Sequence, residues 1–244
     1  MTVMQGWPEG LGLRRYDTLD STNEEARRLA KNGISGPLWI VAREQTSGRG
    51  RRGRAWISQG GNLFATLLLQ APTSLSAQLG FVAGLAAADT IAAHAPGAEV
   101  ALKWPNDVLL AGRKVAGILL EGLGEDALAI GIGINLAHYP NSTEVPSISI
   151  AAITGNPPDL DGFLLRLASR MTTWYEIWLE QGFPPVRKAW LLRACGLGHP
   201  IRARLADSER NGVFEDLDED GALLLRDGAG TLTRITAGDV FFRS

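Results

Sequence analysis

The residues best suited to chemistry form a run of arginines and glycines at residues 48–56, Gly-Arg-Gly-Arg-Arg-Gly-Arg-Ala-Trp. Its glycines offer no side chain to bury and its guanidinium groups require solvent or anionic partners, so the run predicts a loop. Each guanidinium can bind two oxygens of a phosphate or carboxylate. Our first interpretation is a loop that folds over a phosphorylated ligand. For such a run taken alone, a solvated basic loop or a nucleic-acid-binding arm is the stronger alternative.

Two further polar segments lie at the ends of predicted strands: Lys-Trp-Pro-Asn-Asp at residues 103–107 and Arg-Lys-Val-Ala-Gly at residues 113–117. A surface turn with a salt bridge explains the first about equally well, since such pairs are common and contribute only about 0–1 kcal/mol. Together with the Arg-Gly run, the segments supply what adenylation of a carboxylate requires. These requirements are cations for the triphosphate, a carboxylate for Mg²⁺ and a site that excludes water.

The elements that would position these segments are strands and helices of a mixed sheet. Short apolar runs predict strands at residues 38–42, 63–69, 100–104 and 127–135, and a hairpin from 108–110 with 114–120. Apolar periodicity and capping residues predict helices at residues 16–32, 75–94, 159–181 and 184–195. The connection over residues 43–62 is long, and an ordering ligand would explain it.

The last part of the chain differs from the rest in its pattern of short apolar segments and turns. Asn-Gly and Asp-Gly turns separate four short apolar segments, at residues 201–205, 212–217, 222–226 and 232–235. This pattern predicts a small β-barrel. We therefore expect an α+β fold in two domains, a larger domain at residues 1–195 and a barrel at residues 196–244.

Composition excludes several classes of function. The chain has 24 Lys and Arg against 26 Asp and Glu, a net charge of −2, so no global positive field attracts nucleic acid or an anionic membrane. The single cysteine, Cys195, excludes an internal disulfide framework. The start of the chain lacks the pattern of a signal peptide, and we expect a cytoplasmic protein. No phosphate-binding Gly-x-x-x-x-Gly-Lys-Ser/Thr run is present.

Four blocks resemble, in order and spacing, the signature motifs of biotin protein ligases. They are the Arg-Gly run at 48–56, Lys-Trp-Pro-Asn-Asp at 103–107, Arg-Lys-Val-Ala-Gly-Ile-Leu at 113–119 and Gly-Ile-Gly-Ile-Asn at 131–135. Asp-Ser-Thr-Asn at 20–23 and the small β-domain extend the resemblance along nearly the whole chain. It implies a class II synthetase-like catalytic domain with a C-terminal SH3-like barrel. It also implies that ATP, with Mg²⁺, activates biotin to biotinyl-5′-AMP, from which biotin passes to a lysine of a biotin carboxyl carrier protein or domain of a biotin-dependent carboxylase.

The resemblance also implies a role for individual residues. Biotin would be bound by Ser21, Thr22, Gln45, Gly48, Arg49, Gly117 and Gly131. ATP and the adenylate would be bound by Arg51, Arg54, Trp56, Lys103, Asn106, Lys114 and Asn135. Lys114 would bridge the biotin carboxyl and the α-phosphate, Arg51 and Arg54 would clamp phosphate, and Asp107 would hold Mg²⁺ or orient the incoming lysine.

The sequence departs from the family pattern at Gln59, where many relatives carry proline. The chain also begins about where the catalytic domain begins, so we expect no DNA-binding regulation; a homodimer is among the assemblies that the sequence leaves open. A lipoate or octanoate ligase or transferase shares the general fold and is the nearest alternative. An RNA-binding module that uses the Arg-Gly run is the alternative of another class, and the net charge weighs against it.

Overall fold

The computed structural model describes residues 4–124, 126–141 and 145–242. Seven strands form the larger sheet: β1 (Gly12–Leu19), β2 (Leu38–Gln45), β3 (Leu63–Gln70), β4 (Val100–Lys103), β5 (Asp107–Leu110), β6 (Arg113–Gly122) and β7 (Ala127–Ile134). Their order across the sheet is β1-β2-β3-β7-β6-β5-β4. The first pair is parallel and the other pairs are antiparallel. The predicted mixed sheet is confirmed.

Five helices accompany the two sheets in the described part of the chain: α1 (Thr22–Lys31), α2 (Ser76–His94), α3 (Ala151–Thr154), α4 (Leu160–Gln181) and α5 (Phe183–Leu191). Successive side chains of a strand point to opposite faces, and the core divides accordingly. Trp39 and Val41 pack in the large core with α2, α4 and α5. Ile40 packs instead with Ala26 and Leu29 of α1 in a smaller core. The sheet is therefore covered on both faces.

Two helix predictions need correction at their ends. The helix expected over residues 16–32 begins only at Thr22, and residues 16–19 belong to β1, which the sequence analysis missed. This edge strand is only partly buried along its length, so it lacks the continuous apolar run that marks a buried strand. The helix expected over residues 184–195 ends at Leu191, because the chain turns there to run beside β4.

Helix α2 is largely apolar on all its faces because it lies in the middle of the core. By length and composition alone, the segment Thr73–His94 could cross a membrane, but 67% of its most apolar window is buried inside the fold. It packs against α4, α5 and β6. A helix that is apolar on all sides is expected in such a position.

The C-terminal part is an antiparallel sheet of five strands: β8 (Pro200–Arg204), β9 (Glu209–Leu217), β10 (Leu223–Arg226), β11 (Leu232–Ile235) and β12 (Asp239–Phe242). Their order is β11-β10-β9-β8-β12. The four predicted strands are present, and β12 was missed. Within the part of the chain that the structure describes, no ladder joins β11 to β12.

Residues 193–195 connect the two parts and also cover the edge of the large sheet. Leu102 of β4 donates its N–H to the carbonyl of Arg193 (2.7 Å), and Cys195 donates to the carbonyl of Leu102 (2.8 Å). The connection therefore pairs with β4 like a short parallel strand, bridging Leu102 to Ala194. The boundary between residues 195 and 196 stays a prediction.

Candidate active site

A cavity with both polar and apolar lining lies among the start of α1, the end of β2 and the middle of β6 and β7. Nine residues predicted from the sequence line it together: Ser21, Thr22, Gln45, Arg49, Trp56, Asn106, Lys114, Gly117 and Gly131. We call it the first cavity. Gly48, which was also predicted to bind biotin, does not line this cavity but closes the base of the Arg-Gly loop, where its carbonyl accepts from the N–H of Trp56 (2.9 Å).

A buried hydrogen-bond network forms the floor of the first cavity. Gln45 accepts from the backbone N–H of Thr22 (2.9 Å) and from its hydroxyl (3.2 Å). The hydroxyl of Thr66 lies 2.8 Å from that of Thr22 and 2.6 Å from Oδ1 of Asn23. Because Thr66, Thr22 and Asn23 are all buried, each polar atom needs such a partner. Ser21, the N-cap residue of α1, makes no side-chain capping bond.

Thr66 was missed in the sequence analysis. It is the polar residue in the otherwise apolar run of residues 63–69, and that contrast was the signal that could have identified it. A hydroxyl in the middle of a buried strand requires a polar neighbour.

Two glycines of β7 allow side chains to lie against the strand. A Cβ at residue 131 would overlap Oδ1 of Asn23, and a Cβ at residue 133 would lie only 2.5 Å from the Trp56 ring. Since glycine alone leaves this space, the two positions fix the floor and the wall of the first cavity respectively.

Trp56 separates the first cavity from a second one. Its ring lies over Gly133 and Gly117, and it lines both cavities. Its indole N–H is buried and has no hydrogen-bond acceptor in the described part of the chain. The second cavity is also lined by Arg54, Ile57, Asn135 and Val145. Asn135 is held by a hydrogen bond from its amide to the carbonyl of Ile148 (3.1 Å).

A third cavity lies where the large sheet faces the C-terminal sheet. It is lined by three cationic side chains, Arg54, Lys103 and Lys114, and by two carboxylates, Asp107 and Asp239. Lys103 is only 6% exposed, and burial lowers its pKa. Its ammonium group lies over the rings of Phe241 (5.5 Å) and Phe242 (5.6 Å). Excess positive charge held in a partly buried space favours an anionic ligand.

Lys114 lies where the three cavities meet, since it lines all of them. Its ammonium group is 2.6 Å from Oδ1 of Asp107 and 5.5 Å from the centre of the Trp56 ring. The hairpin of β5 and β6 positions both partners, because Asp107 begins one strand and Lys114 lies near the start of the next.

The arginines of the loop contact different parts of the molecule. Arg49 pairs with Glu24 of α1 and lies 3.9 Å from Glu121. Burial raises the pKa of Glu24, but Arg49 and Arg27 outweigh it and hold that pKa below its usual value. Arg51 lines none of the three cavities; it donates to Oδ1 of Asn106 (3.2 Å), and burial lowers its pKa. The loop contains a single turn of 3₁₀ helix at Arg51–Gly53.

All of the sequence-predicted site residues except Gly48 and Arg51 therefore line one or more of the three cavities. The roles assigned to them stay predictions. Among the described residues, no group of three or more His, Cys, Asp or Glu side chains could hold a metal ion by itself.

Comparison with known proteins gives a consistent result. The model of the biotin/lipoate A/B protein ligase family matches residues 16–136, and that of the biotin protein ligase C-terminal domain matches residues 196–243. A biotin--[acetyl-CoA-carboxylase] ligase of Paracoccus denitrificans is 48% identical over 91% of this chain and 97% of its own length. A bifunctional ligase/repressor of Bacillus subtilis is 34% identical, over 95% of this chain and 74% of its own length.

The fold is similar to that of solved structures. The biotin protein ligase of Aquifex aeolicus in complex with biotin and ATP superposes with a TM-score of 0.83 at 30% identity. That similarity covers 95% of this chain and 98% of the Aquifex chain.

Proposed function

The chain belongs to the biotin/lipoate A/B protein ligase family, and we propose that it is an ATP-dependent biotin protein ligase. In the first step, a carboxylate oxygen of biotin attacks the α-phosphorus of ATP and pyrophosphate leaves. In the second step, the amine of a carrier lysine attacks the acyl carbon, an amide forms and AMP leaves. The second step needs no further ATP because the adenylate is already activated.

The observation that carries this proposal is the position of Lys114 at the junction of the three cavities. Adenylation joins an acid to a nucleotide, so its site must hold the acid, the nucleoside and the departing phosphates around one point. A cation at that point stabilises the charge that develops in both steps. We assign this function to Lys114.

The first cavity takes the biotin head in this proposal. Its donors and acceptors come from Ser21, Thr22 and Gln45, and the backbone at Gly117 and Gly131 lies within reach of a flat ligand. Arg49 would face the carboxylate side of biotin. Because Glu24 holds the Arg49 guanidinium in the described structure, that contact requires the arginine to exchange one carboxylate partner for another.

The second cavity takes the adenosine, with Trp56 and Asn135 against the base. The third takes the phosphates, which Lys103, Arg54 and Asn106 would bind. Mg²⁺ usually binds through one or two carboxylates together with substrate phosphates and water, and Asp107 supplies a carboxylate in the third cavity. When bound, the ion would neutralise phosphate charge. Arg51 acts beside this cavity through Asn106.

We propose a biotin carboxyl carrier domain of a carboxylase as the acceptor, because the Paracoccus relative is a biotin--[acetyl-CoA-carboxylase] ligase. Asp107 would orient the incoming lysine. A cytoplasmic location and a homodimer remain predictions.

The decisive experiment is to mix the purified protein with ATP, Mg²⁺, biotin and a carrier domain, and to measure the mass of the carrier. We expect a single biotin adduct that requires ATP and one carrier lysine, with a Lys→Arg carrier as the control. Parallel reactions contain lipoate or octanoate instead of biotin. An adduct formed with these acids but not with biotin would reverse the assignment.

A further inference from the structure

Asp239, at the start of β12 in the C-terminal sheet, contacts several arginines of the Arg-Gly loop. Its Oδ2 is 3.1 Å from Arg52 and its Oδ1 is 3.0 Å from Arg54. Arg204 of the neighbouring strand lies 3.6 Å from the same carboxylate. The Asp239 side chain is only 14% exposed, so these pairs are less screened by water than ordinary surface ion pairs.

Backbone groups of the C-terminal sheet add two contacts to the same loop. Arg51 donates to the carbonyl of Gly238 (3.3 Å), and Arg52 donates to the carbonyl of Arg204 (3.5 Å). Three arginines of the loop, at residues 51, 52 and 54, thus contact the short stretch formed by Gly238 and Asp239 at the start of β12. The loop bridges the two sheets.

Arg52 is the loop arginine to which the proposed function gives no contact with a ligand. It lines none of the three cavities, and its backbone has φ +56°, in the left-handed region that favours glycine. A non-glycine residue in this region costs conformational free energy, so the surrounding contacts must hold it there. Its side-chain contacts are to Asp239 and to the carbonyl of Arg204.

The charge of Asp239 suits it to this position. Burial opposes its ionisation, but Arg54, Arg52 and Arg51 outweigh that effect and hold the pKa of Asp239 below its usual value. The carboxylate stays ionised at neutral pH and offsets the mutual repulsion of the loop arginines. Without it, only neutral carbonyl and amide oxygens, or a bound anion, would hold those cations together.

We propose that Asp239 is a positioning residue that latches the Arg-Gly loop closed, with Arg52 as the anchor on the loop side. The latch rests on the proposed function, since what the closed loop retains is the adenylate. Asp239 also lines the third cavity, but in this arrangement its task is to hold the loop arginines. It acts through Arg54, which lines the second and third cavities, and through Arg51 beside them.

The latch predicts how pyrophosphate is released when no carrier is present. A closed loop retains the adenylate, so each site releases one pyrophosphate in a burst and then turns over only slowly. A loosened loop lets the adenylate escape, and the site turns over again. Loss of the latch should therefore leave the burst intact and accelerate the slow phase that follows it.

The test compares wild type, Asp239→Asn, Arg52→Gln and the double variant, with Glu215→Gln as control. Glu215 forms an exposed ion pair with Arg226 in the same C-terminal sheet, so its ion-pair partner is not a loop residue. We expect the slow phase to rise about tenfold in Asp239→Asn, which corresponds to weakening closure by about 1.4 kcal/mol. The double variant should be no leakier than Asp239→Asn, because the residues act on one contact. Glu215→Gln should behave as wild type.

A second readout does not depend on turnover. Trypsin cleaves after arginine, and Asp239→Asn keeps every loop arginine, so faster cleavage within residues 49–54 at an unchanged melting temperature reports an opened loop. A slow phase equal to that of wild type in Asp239→Asn overturns the latch. If wild type gives no biotin-dependent burst, the proposed function fails instead, and trypsin cleavage alone decides the latch: equal rates overturn it and faster cleavage supports it.

Discussion

The ammonium group of Lys114 lies 2.6 Å from the carboxylate of Asp107, and both side chains are largely buried. Lys114 is thereby held at the junction of the three cavities before any substrate is present. A preorganised charge of this kind is available to the transition state without further rearrangement. The sequence predicted related functions for the two residues: Lys114 was expected to contact the α-phosphate and Asp107 to hold Mg²⁺.

Replacement of Lys114 by methionine should reduce biotin-dependent pyrophosphate release by at least about 10²-fold. The change removes a charge from the reacting centre, and loss of one stabilising group costs about 10²–10³ in rate. The measurement is single-turnover adenylate formation at saturating ATP and biotin. Arg113→Met is the matched control, since Arg113 is the exposed neighbour that lines no described cavity. Equal rates for Lys114→Met and wild type would remove Lys114 from the chemistry.

Alanine at residues 131 and 133 should separate the two substrates kinetically. The added methyl at residue 131 meets Asn23 under the first cavity, whereas the one at residue 133 meets Trp56. Overpacking of this kind costs about 1–3 kcal/mol, enough to change a Michaelis constant about tenfold. Gly131→Ala should mainly raise KM for biotin, and Gly133→Ala should mainly raise KM for ATP. The same substrate affected by both variants would contradict the assignment of the cavities.

Thr66→Val should weaken biotin binding although Thr66 itself lies beneath the ligand-facing residues. Valine has nearly the shape of threonine but lacks the hydroxyl that meets Thr22 and Asn23. Leaving a buried polar partner unsatisfied costs about 1–3 kcal/mol, so we expect the dissociation constant to rise at least about fivefold. Isothermal titration with biotin gives the comparison. Thr66→Ser keeps the hydroxyl and should bind nearly as wild type; a loss as large as that of valine would indicate packing as the cause.

Asp20, just before α1, should make an acid-dependent contribution to stability. Arg28 donates two hydrogen bonds to it and lowers its pKa to about 2 from 3.8. The ionised form is therefore favoured by folding, and its contribution is present above pH 4 and lost as the pH falls towards 2. Because Asp20 is 43% exposed, we expect it to be below about 1 kcal/mol.

Urea denaturation of wild type and Asp20→Asn at pH 7, 4 and 3 tests this dependence. The difference in free energy of unfolding should be similar at pH 7 and 4 and smaller at pH 3. Asp17→Asn is the control, since Asp17 is 93% exposed. A difference that grows on acidification would contradict the sign.

Much of the fold could be predicted from local patterns. Strands β2, β3 and β7 contain long apolar runs because both faces of the sheet are covered there, and helix α2 is largely apolar because it lies in the core. Strand β1 was not predicted because it is a partly buried edge strand with mixed residues. Strand β12 was not predicted because four residues carry little periodic signal.

Only part of the candidate site could be predicted from the sequence. Residues such as Gln45, Lys114 and Gly131 belong to contiguous motifs, and the resemblance identified them together. Asp239 and Thr66 were missed because their importance comes from tertiary contacts with segments far away in the chain. Arg52 belongs to the most visible motif of the sequence, yet its contacts depend on where the C-terminal sheet packs, which no local pattern encodes.

The pairing of residues 193–195 with β4 bears on how the protein can be shortened. A chain ending after Cys195 would keep the two hydrogen bonds to Leu102, whereas a chain ending before Arg193 would leave the N–H and C=O of Leu102 open. An open strand edge is a template for pairing with another molecule. The same three residues that lead to the C-terminal sheet thus also protect the large sheet against aggregation.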